Sequence, residues 1–291
     1  MNQQFIVPTN SLEHLNVSTN YLQKFTLENE AYKKYDSYKN NENNTYVAVI
    51  VEPRKHDLLE GIIRNVCYFL NQHPDLEEKN KWNIVVFHGT NNYEFIKEKL
   101  VNFDIKYINM NVDNITADEH NLLLQQLFFW KNIQEYTNAL IFQTDSCLLH
   151  RINTKFIEYD YVGARILNPG AKTPKDFGMN GGFSLRNVKS MMKCLELVNT
   201  EIINTYRQRN GKGEFSPIKI LAEDIFFWHC LEILGKNMPK KELLPEFSIE
   251  TTLDFDIDYH KLKPSGIHGF NKNLLVMELF NKIFNEAEEP K

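Results

Sequence analysis

Four short stretches of this chain carry the side chains best suited to chemistry. Gln143-Thr144-Asp145 follows the apolar run Ala139-Leu140-Ile141-Phe142, and Gly178-Met179-Asn180-Gly181-Gly182-Phe183-Ser184 concentrates glycine just ahead of another. Glu223-Asp224 opens the apolar stretch Ile225-Phe226-Phe227-Trp228, and His268 lies in Ser265-Gly266-Ile267-His268-Gly269-Phe270. In chain order they offer a carboxylate for a cation, backbone that a ligand can approach closely, an acid pair for proton transfer, and an imidazole.

Each stretch also has a plainer reading. Asp145 at a strand end would give a divalent cation the hard oxygen it needs beside a diphosphate; it serves equally well as the cap of the next turn. Gln143, two residues earlier, contributes an amide oxygen without charge. Glycines without Cβ atoms admit a ligand to the backbone, or simply make a tight turn. Two acids in a helix's first turn are favoured by the macrodipole; in a low-dielectric pocket one of them, Asp224, gains the raised pKa of a general base. A histidine flanked by glycines can be presented to a metal, though most lone histidines are surface or core residues.

The elements that must position these groups alternate. Tyr46 to Val51 is a continuous apolar run, the pattern of a parallel strand buried on both faces. Leu58, Leu59, Ile62, Ile63, Val66, Phe69 and Leu70 follow at helical spacing, up to Pro74. Ile84 to Phe87 predicts a strand, Tyr93 to Val101 a helix, and Ile105 to Ile108 a short strand. One long helix is expected over Ala117 to Ile133, then a strand at Ala139 to Phe142. Such alternation predicts an α/β fold: a three-layer α/β/α sandwich around a mostly parallel sheet, with ligands beyond the carboxyl ends of the strands. Glu52-Pro53-Arg54, His88-Gly89-Thr90 and Gln143-Thr144-Asp145 occupy those ends.

The second half is less regular. Tyr161 to Pro174 reads as a loop and Phe183 to Leu185 as a strand. Val188 to Val198 and Ile218 to Leu234 read as helices, Phe247 to Thr251 as a strand, and Leu274 to Phe284 as a closing helix. Residues 1–44, ending in Asn40-Asn41-Glu42-Asn43-Asn44, are expected to form an N-terminal extension and linker with possible helical spacing from Leu22 to Tyr38; residues 45–285 are expected to form a single domain.

Bulk properties narrow the function classes. The chain has 291 residues, 42% hydrophobic and 24% charged, with a formal net charge of -5 and a mean hydropathy of -0.44. No global basic field favours nucleic acid or an anionic membrane. No stretch approaches the ~18 apolar residues of a membrane helix, and the N-terminus lacks a secretion signal. Cys67, Cys147, Cys194 and Cys230 form no Cys-x-x-Cys pair and read as buried free thiols. The expected setting is cytoplasmic. No Gly-x-Gly-x-x-Gly or Walker loop follows the first strand, which disfavours nicotinamide and P-loop sites.

As a set these stretches resemble the nucleotide-sugar glycosyltransferases of the A-type fold, whose hallmarks are an Asp-x-Asp motif, a glycine-rich loop, a Glu-Asp pair and a C-terminal histidine. The segments Leu140 to Ser146, Tyr159 to Ala164, Asn180 to Arg186, Glu223 to Phe227 and Phe247 to Glu250 are similar to a poorly characterised glycosyltransferase family, over roughly residues 45–270. The resemblance implies a nucleoside-diphosphate sugar, with a UDP-sugar expected, lying over the first half. Val51, Glu52 and Arg54 would hold base and ribose with His88 and Gly89, and Gln143, Thr144, Asp145, Gly181 and Gly182 would border diphosphate and sugar. Asp145 and His268 would ligate Mn²⁺ or Mg²⁺, assisted by Gln143, while Lys172, Lys175, Arg165 and Arg186 lie near the diphosphate. Glu223 would read a glycan or glycoconjugate acceptor and Asp224 would take its proton, with inversion at the anomeric centre.

Gln143 in place of an acid leaves two other outcomes open: a metal-independent or retaining enzyme, or a degenerate module that binds nucleotide-sugar or glycan without turnover. A nucleotidyltransferase would want a glycine-rich basic loop after the first strand, and Val51-Glu52-Pro53-Arg54-Lys55 has no glycine.

Overall fold

In the computed structural model, residues 19, 21–23, 37–72, 81–165, 179–196, 222–250 and 262–269 are described. In chain order the strands are β1 (Tyr38–Lys39), β2 (Tyr46–Glu52), β3 (Trp82–His88), β4 (Phe103–Asp104), β5 (Lys106–Asn109), β6 (Asn138–Phe142), β7 (Ser146–Leu148), β8 (Tyr161–Arg165), β9 (Met179–Asn187), β10 (Ser248–Ile249) and β11 (Gly266–His268). The helices are α1 (Leu59–Cys67, running into a wider turn over Tyr68–Gln72), α2 (Tyr93–Lys99), α3 (Ala117–Leu124), α4 (Leu127–Lys131), α5 (Val188–Glu196), α6 (Glu223–Ile233) and α7 (Leu244–Phe247).

The main sheet has six strands in the order β5-β3-β2-β6-β9-β8. β5, β3, β2 and β6 run parallel, and β9 and β8 are antiparallel additions. The fold is mixed α/β on a mostly parallel sheet, as the alternating pattern predicts. Val47 to Ile50 and Ile84 to Phe87 have no solvent exposure, because helices cover both faces of these β-branched runs. From β2 the chain winds outward to β3 and β5, then returns to the other side of β2 as β6. That reversal opens a crevice between the carboxyl ends of β2 and β6, where doubly wound sheets take ligands.

A second sheet, β10-β11-β7, stands beside the first. β10 and β11 are parallel, with Ser248 opposite Gly266. β11 and β7 are antiparallel, with His268 opposite Ser146. The small sheet thus carries the C-terminal histidine back to the end of β6.

Three expectations need correction. The helix read over Ala117 to Ile133 is two helices: Gln126 is extended (φ -100°, ψ 136°), and the Trp130 indole N–H caps the Leu124 carbonyl at 2.7 Å. Burying Phe129 and Trp130 outweighs the continuous stripe, whose Leu122 and Leu127 end up exposed. The stretch from Tyr161, read as a loop, begins as strand β8, because β9 offers it a partner that local composition does not reveal. The glycine-rich loop is largely strand: Gly181 and Gly182 lie inside β9, beyond the expected Phe183 to Leu185.

The Phe247 to Thr251 strand shortens to Ser248–Ile249, with Phe247 closing α7. The Leu274 to Phe284 helix, Gly178, Lys172, Lys175, Pro74, the start of the Ile218 helix and most of the Leu22 to Tyr38 segment lie outside the described residues. Asn40 exchanges two hydrogen bonds with the Ile84 backbone (2.8 and 2.9 Å), supplying side-chain pairing where β3 extends past β5. All four cysteines are buried free thiols. Among the described residues no helix is long and apolar enough to cross a membrane.

Candidate functional site

A cleft of about 410 Å³ opens at the β2/β6 crevice, lined by Val51, Glu52, Pro53, Arg54, His56, Leu58, Ile115, Thr116, Ala117, His120, Gln143, Thr144 and Asp145. Of the residues expected to bind a donor, Val51, Glu52, Arg54, Gln143, Thr144 and Asp145 are in this lining. Glu52 is buried and forks onto Arg54, receiving bonds from its Nε and Nη2 (both 2.8 Å) and its backbone amide (2.9 Å). His88 and Gly89 stand behind the cleft wall. His88 Nδ1 lies 2.6 Å from the Gly89 carbonyl, and its ring packs on Tyr93. The Gly89 amide donates to Asn92, whose own amide group ties the Glu52 and Arg54 carbonyls (2.7 and 2.9 Å). His56 and His120 line the cleft without having been singled out from the sequence; burial lowers the pKa of both.

Gln143 and Asp145 leave β6 at the cleft floor and meet His268 of β11. His268 Nε2 is 3.2 Å from Gln143 Oε1 and 3.3 Å from Asp145 Oδ1. Its other nitrogen, Nδ1, is 2.8 Å from Glu250 Oε2, just past β10. Burial pulls the imidazole pKa down, but hydrogen bonds to Asp145 and Glu250 more than offset this and hold it at about 10.

The Gly182 backbone lies against this cluster. A Cβ there would collide with the His268 ring and sit 2.7 Å from Gln143 Oε1. Its neighbour Gly181 does the same service for the acid pair, since a Cβ on it would strike Glu223 Oε1. The Gly181-Gly182 step of β9 therefore passes between the imidazole and the acids without side chains, and this close approach explains the two glycines.

Glu223 sits at the start of α6 with both oxygens engaged by Arg186, at 2.5 Å (Nη1) and 2.8 Å (Nη2). Arg186 is fully buried. Its Nε donates to Ser184 Oγ, its Nη2 to the Gly181 carbonyl, and its guanidinium lies over Tyr161 and Phe227. The expectation that Arg186 lies near a diphosphate is thereby overturned: all its reach is spent inside the protein. Asp224, next in the chain, takes a 2.7 Å bond from the Ile225 amide. Burial, then the adjacent Glu223 charge, push its pKa up to about 6, with the Ile225 amide, Arg186 and the Gly181 amide restraining the rise.

Among the described residues no three His, Cys, Asp or Glu side chains surround one point. The donor set that does converge is one carboxylate, one amide oxygen and one imidazole. Ligands bound at about 2.1 Å to an octahedral ion stand about 3 Å apart, which matches the two separations at Nε2. Oxygen donors with one imidazole suit Mn²⁺ or Mg²⁺ when phosphate oxygens complete the shell, so these residues fit the cation implied.

A family model described as "Protein of unknown function (DUF5672)" matches residues 102–268, a span that includes Gln143, Asp145, Gly181, Gly182, Glu223, Asp224 and His268. No curated protein matches the chain. Among solved structures, the chain is similar to the apo-form glycosyltransferase GlyE of Streptococcus pneumoniae TIGR4, at 12% identity and a TM-score of 0.44, with 84% of this chain and 64% of that chain covered. The chain thus spans just under two thirds of that protein's structure.

Proposed function

The chain belongs to the family described as "Protein of unknown function (DUF5672)", and from that premise we propose that it is a glycosyltransferase moving a sugar from a nucleoside-diphosphate sugar to a hydroxyl acceptor. One observation carries the reading: His268, Asp145 and Gln143 converge within 3.3 Å at the floor of the cleft. The same β9 glycines that border this cluster also border Glu223 and, through the Gly181 amide, Asp224.

In this reading Val51 to Arg54 and Thr144 hold the nucleoside, with His88 and Gly89 shaping the wall behind them. A UDP-sugar is the expected donor and a glycan or glycoconjugate hydroxyl the expected acceptor. Asp145 and His268, with Gln143, would hold Mn²⁺ or Mg²⁺. Such an ion offsets the charge that builds on the departing diphosphate. Gly181 and Gly182 would border the donor sugar through their backbone, the sides where a Cβ would stand being taken by Glu223 and by His268 with Gln143. Asp224 accepts the proton of the attacking hydroxyl, and its pKa near 6 leaves it ionised yet basic at neutral pH. Attack from the face opposite the diphosphate inverts the anomeric centre. Glu223, expected to read the acceptor, has both oxygens taken by Arg186 and in this reading keeps Asp224 in place instead.

Gln143 favours a second reading, a module that binds a nucleotide-sugar without turning it over, because the neutral amide weakens cation binding. Calorimetry with a panel of nucleoside-diphosphate sugars, paired with a Mn²⁺-stimulated hydrolysis assay, separates the two. The enzyme reading expects one donor both to bind and to be hydrolysed faster with Mn²⁺. Binding with no metal-stimulated turnover supports the module.

A further inference from the structure

The small sheet ends on a row of three ionisable side chains. β10 and β11 run parallel with Ile249 opposite Ile267, so Glu250 and His268 follow side by side. β11 and β7 place His268 opposite Ser146, one residue from Asp145. The imidazole is thereby held between two carboxylates, with Glu250 2.8 Å from Nδ1 and Asp145 3.3 Å from Nε2. Both carboxylates are largely shielded, their side chains 15% and 29% exposed.

A divalent cation partly removed from water needs negative charge in or just behind its ligand set. Asp145 supplies one charge and Gln143 none. A carboxylate that accepts the N–H of a ligating imidazole fixes its tautomer, aims its free nitrogen and raises its basicity. Glu250 occupies that place, and with Nδ1–H held by it, Nε2 is the nitrogen that would give up its proton to a cation. Nε2 faces Gln143 and Asp145 directly, a close approach that the missing Cβ of Gly182 permits.

Resting on the cation site of the proposed function, we propose that Glu250 is the positioning residue of that site and supplies, through His268, the negative charge that Gln143 lacks. The second acid thus acts from the far side of the imidazole and not from the cation's own shell. Recognition of a divalent cation would then depend on a residue that never touches it.

The test titrates the full-length chain with Mn²⁺ alone, reading free metal by its paramagnetic resonance signal. Glu250→Gln is expected to weaken Mn²⁺ binding about 10–100-fold, and His268→Ala to weaken it further. Gln143→Asp is expected to raise affinity about tenfold more in the Glu250→Gln background than in the unaltered chain, a coupling that a purely structural role for Glu250 would not produce. If Glu250→Gln binds like the unaltered chain while His268→Ala loses binding, the role of Glu250 is overturned and the cation site stands. Should the unaltered chain take up no Mn²⁺, both fall. A ¹⁵N-histidine spectrum of the unaltered chain with diamagnetic Zn²⁺ gives an independent reading. Nδ1–H with metal on Nε2 is expected; metal on Nδ1 overturns the assignment.

Discussion

Arg186 grips both oxygens of Glu223, at 2.5 and 2.8 Å, with its own side chain wholly out of water. The pair fastens strand β9 to the first turn of α6, and so fixes Asp224 relative to Gly181. Removing one partner strands a buried charge, which typically costs about 3–5 kcal/mol, whereas replacing both with apolar groups is often neutral. Arg186→Met and Glu223→Leu are each expected to destabilise by about that amount, and the double variant to recover most of it. Urea denaturation checks this; additive losses would show that the pair is not coupled.

The two β9 glycines should fail differently. Gly181→Ala drives a methyl into Glu223, and Gly182→Ala drives one into His268 and Gln143. Because Glu223 is locked in the buried pair, Gly181→Ala is expected to lower the melting temperature, by about 4 °C or more if the loss exceeds about 2 kcal/mol. Gly182→Ala presses on His268, which is less deeply buried than the Arg186–Glu223 pair, so stability should change less while Mn²⁺ affinity falls. Comparing thermal melts with Mn²⁺ titrations of the two variants distinguishes them.

Much of the frame was legible because β2, β3 and β6 are unbroken apolar runs and burial on both faces leaves no other place for them. The break between α3 and α4 was not, since it depends on where Trp130 finds a cavity. β8 was hidden because the glycines and prolines of Tyr161 to Pro174 read as a loop and its partner β9 comes more than ten residues later. Within the site, Asp145 and His268 were visible as an acid at a strand end and a histidine between glycines, although 123 residues separate them. Arg186 was misplaced because a basic residue near glycines reads as exposed, and only the surrounding Tyr161, Phe227 and Glu223 show it is interior. Glu250 carried a faint signal, an acid closing the short strand Ser248-Ile249, but its partner is set by β10–β11 register.

Asp224 predicts a particular pH response. Its pKa rises from an ordinary 3.8 to about 6 on folding, so between those values the folded chain binds more protons than the unfolded chain. Stability contributed by this group therefore falls as pH rises from about 4 to about 6. Asp224→Asn removes that dependence, so its melting temperature relative to the unaltered chain should climb across the window. A difference that stays flat from pH 4 to 7 would mean Asp224 keeps an ordinary pKa.

The same residue should separate binding from turnover. A base within reach of the acceptor hydroxyl acts in the transition state, and general-base catalysis of this kind contributes about 10²–10⁴-fold. Asp224→Asn is expected to cut transfer by that range while leaving donor affinity nearly unchanged, because neither Asp224 nor Glu223 lines the donor cleft. His268→Ala should do the reverse: its Nε2 faces Asp145 and Gln143, so donor affinity should drop when Mn²⁺ is present and stay level when it is absent. Calorimetry of both variants with and without Mn²⁺, beside initial rates, reads the two effects. Equal loss of affinity and rate in Asp224→Asn would assign that acid to the fold and leave the proton to another group; His120, already inside the cleft, is then the next to replace.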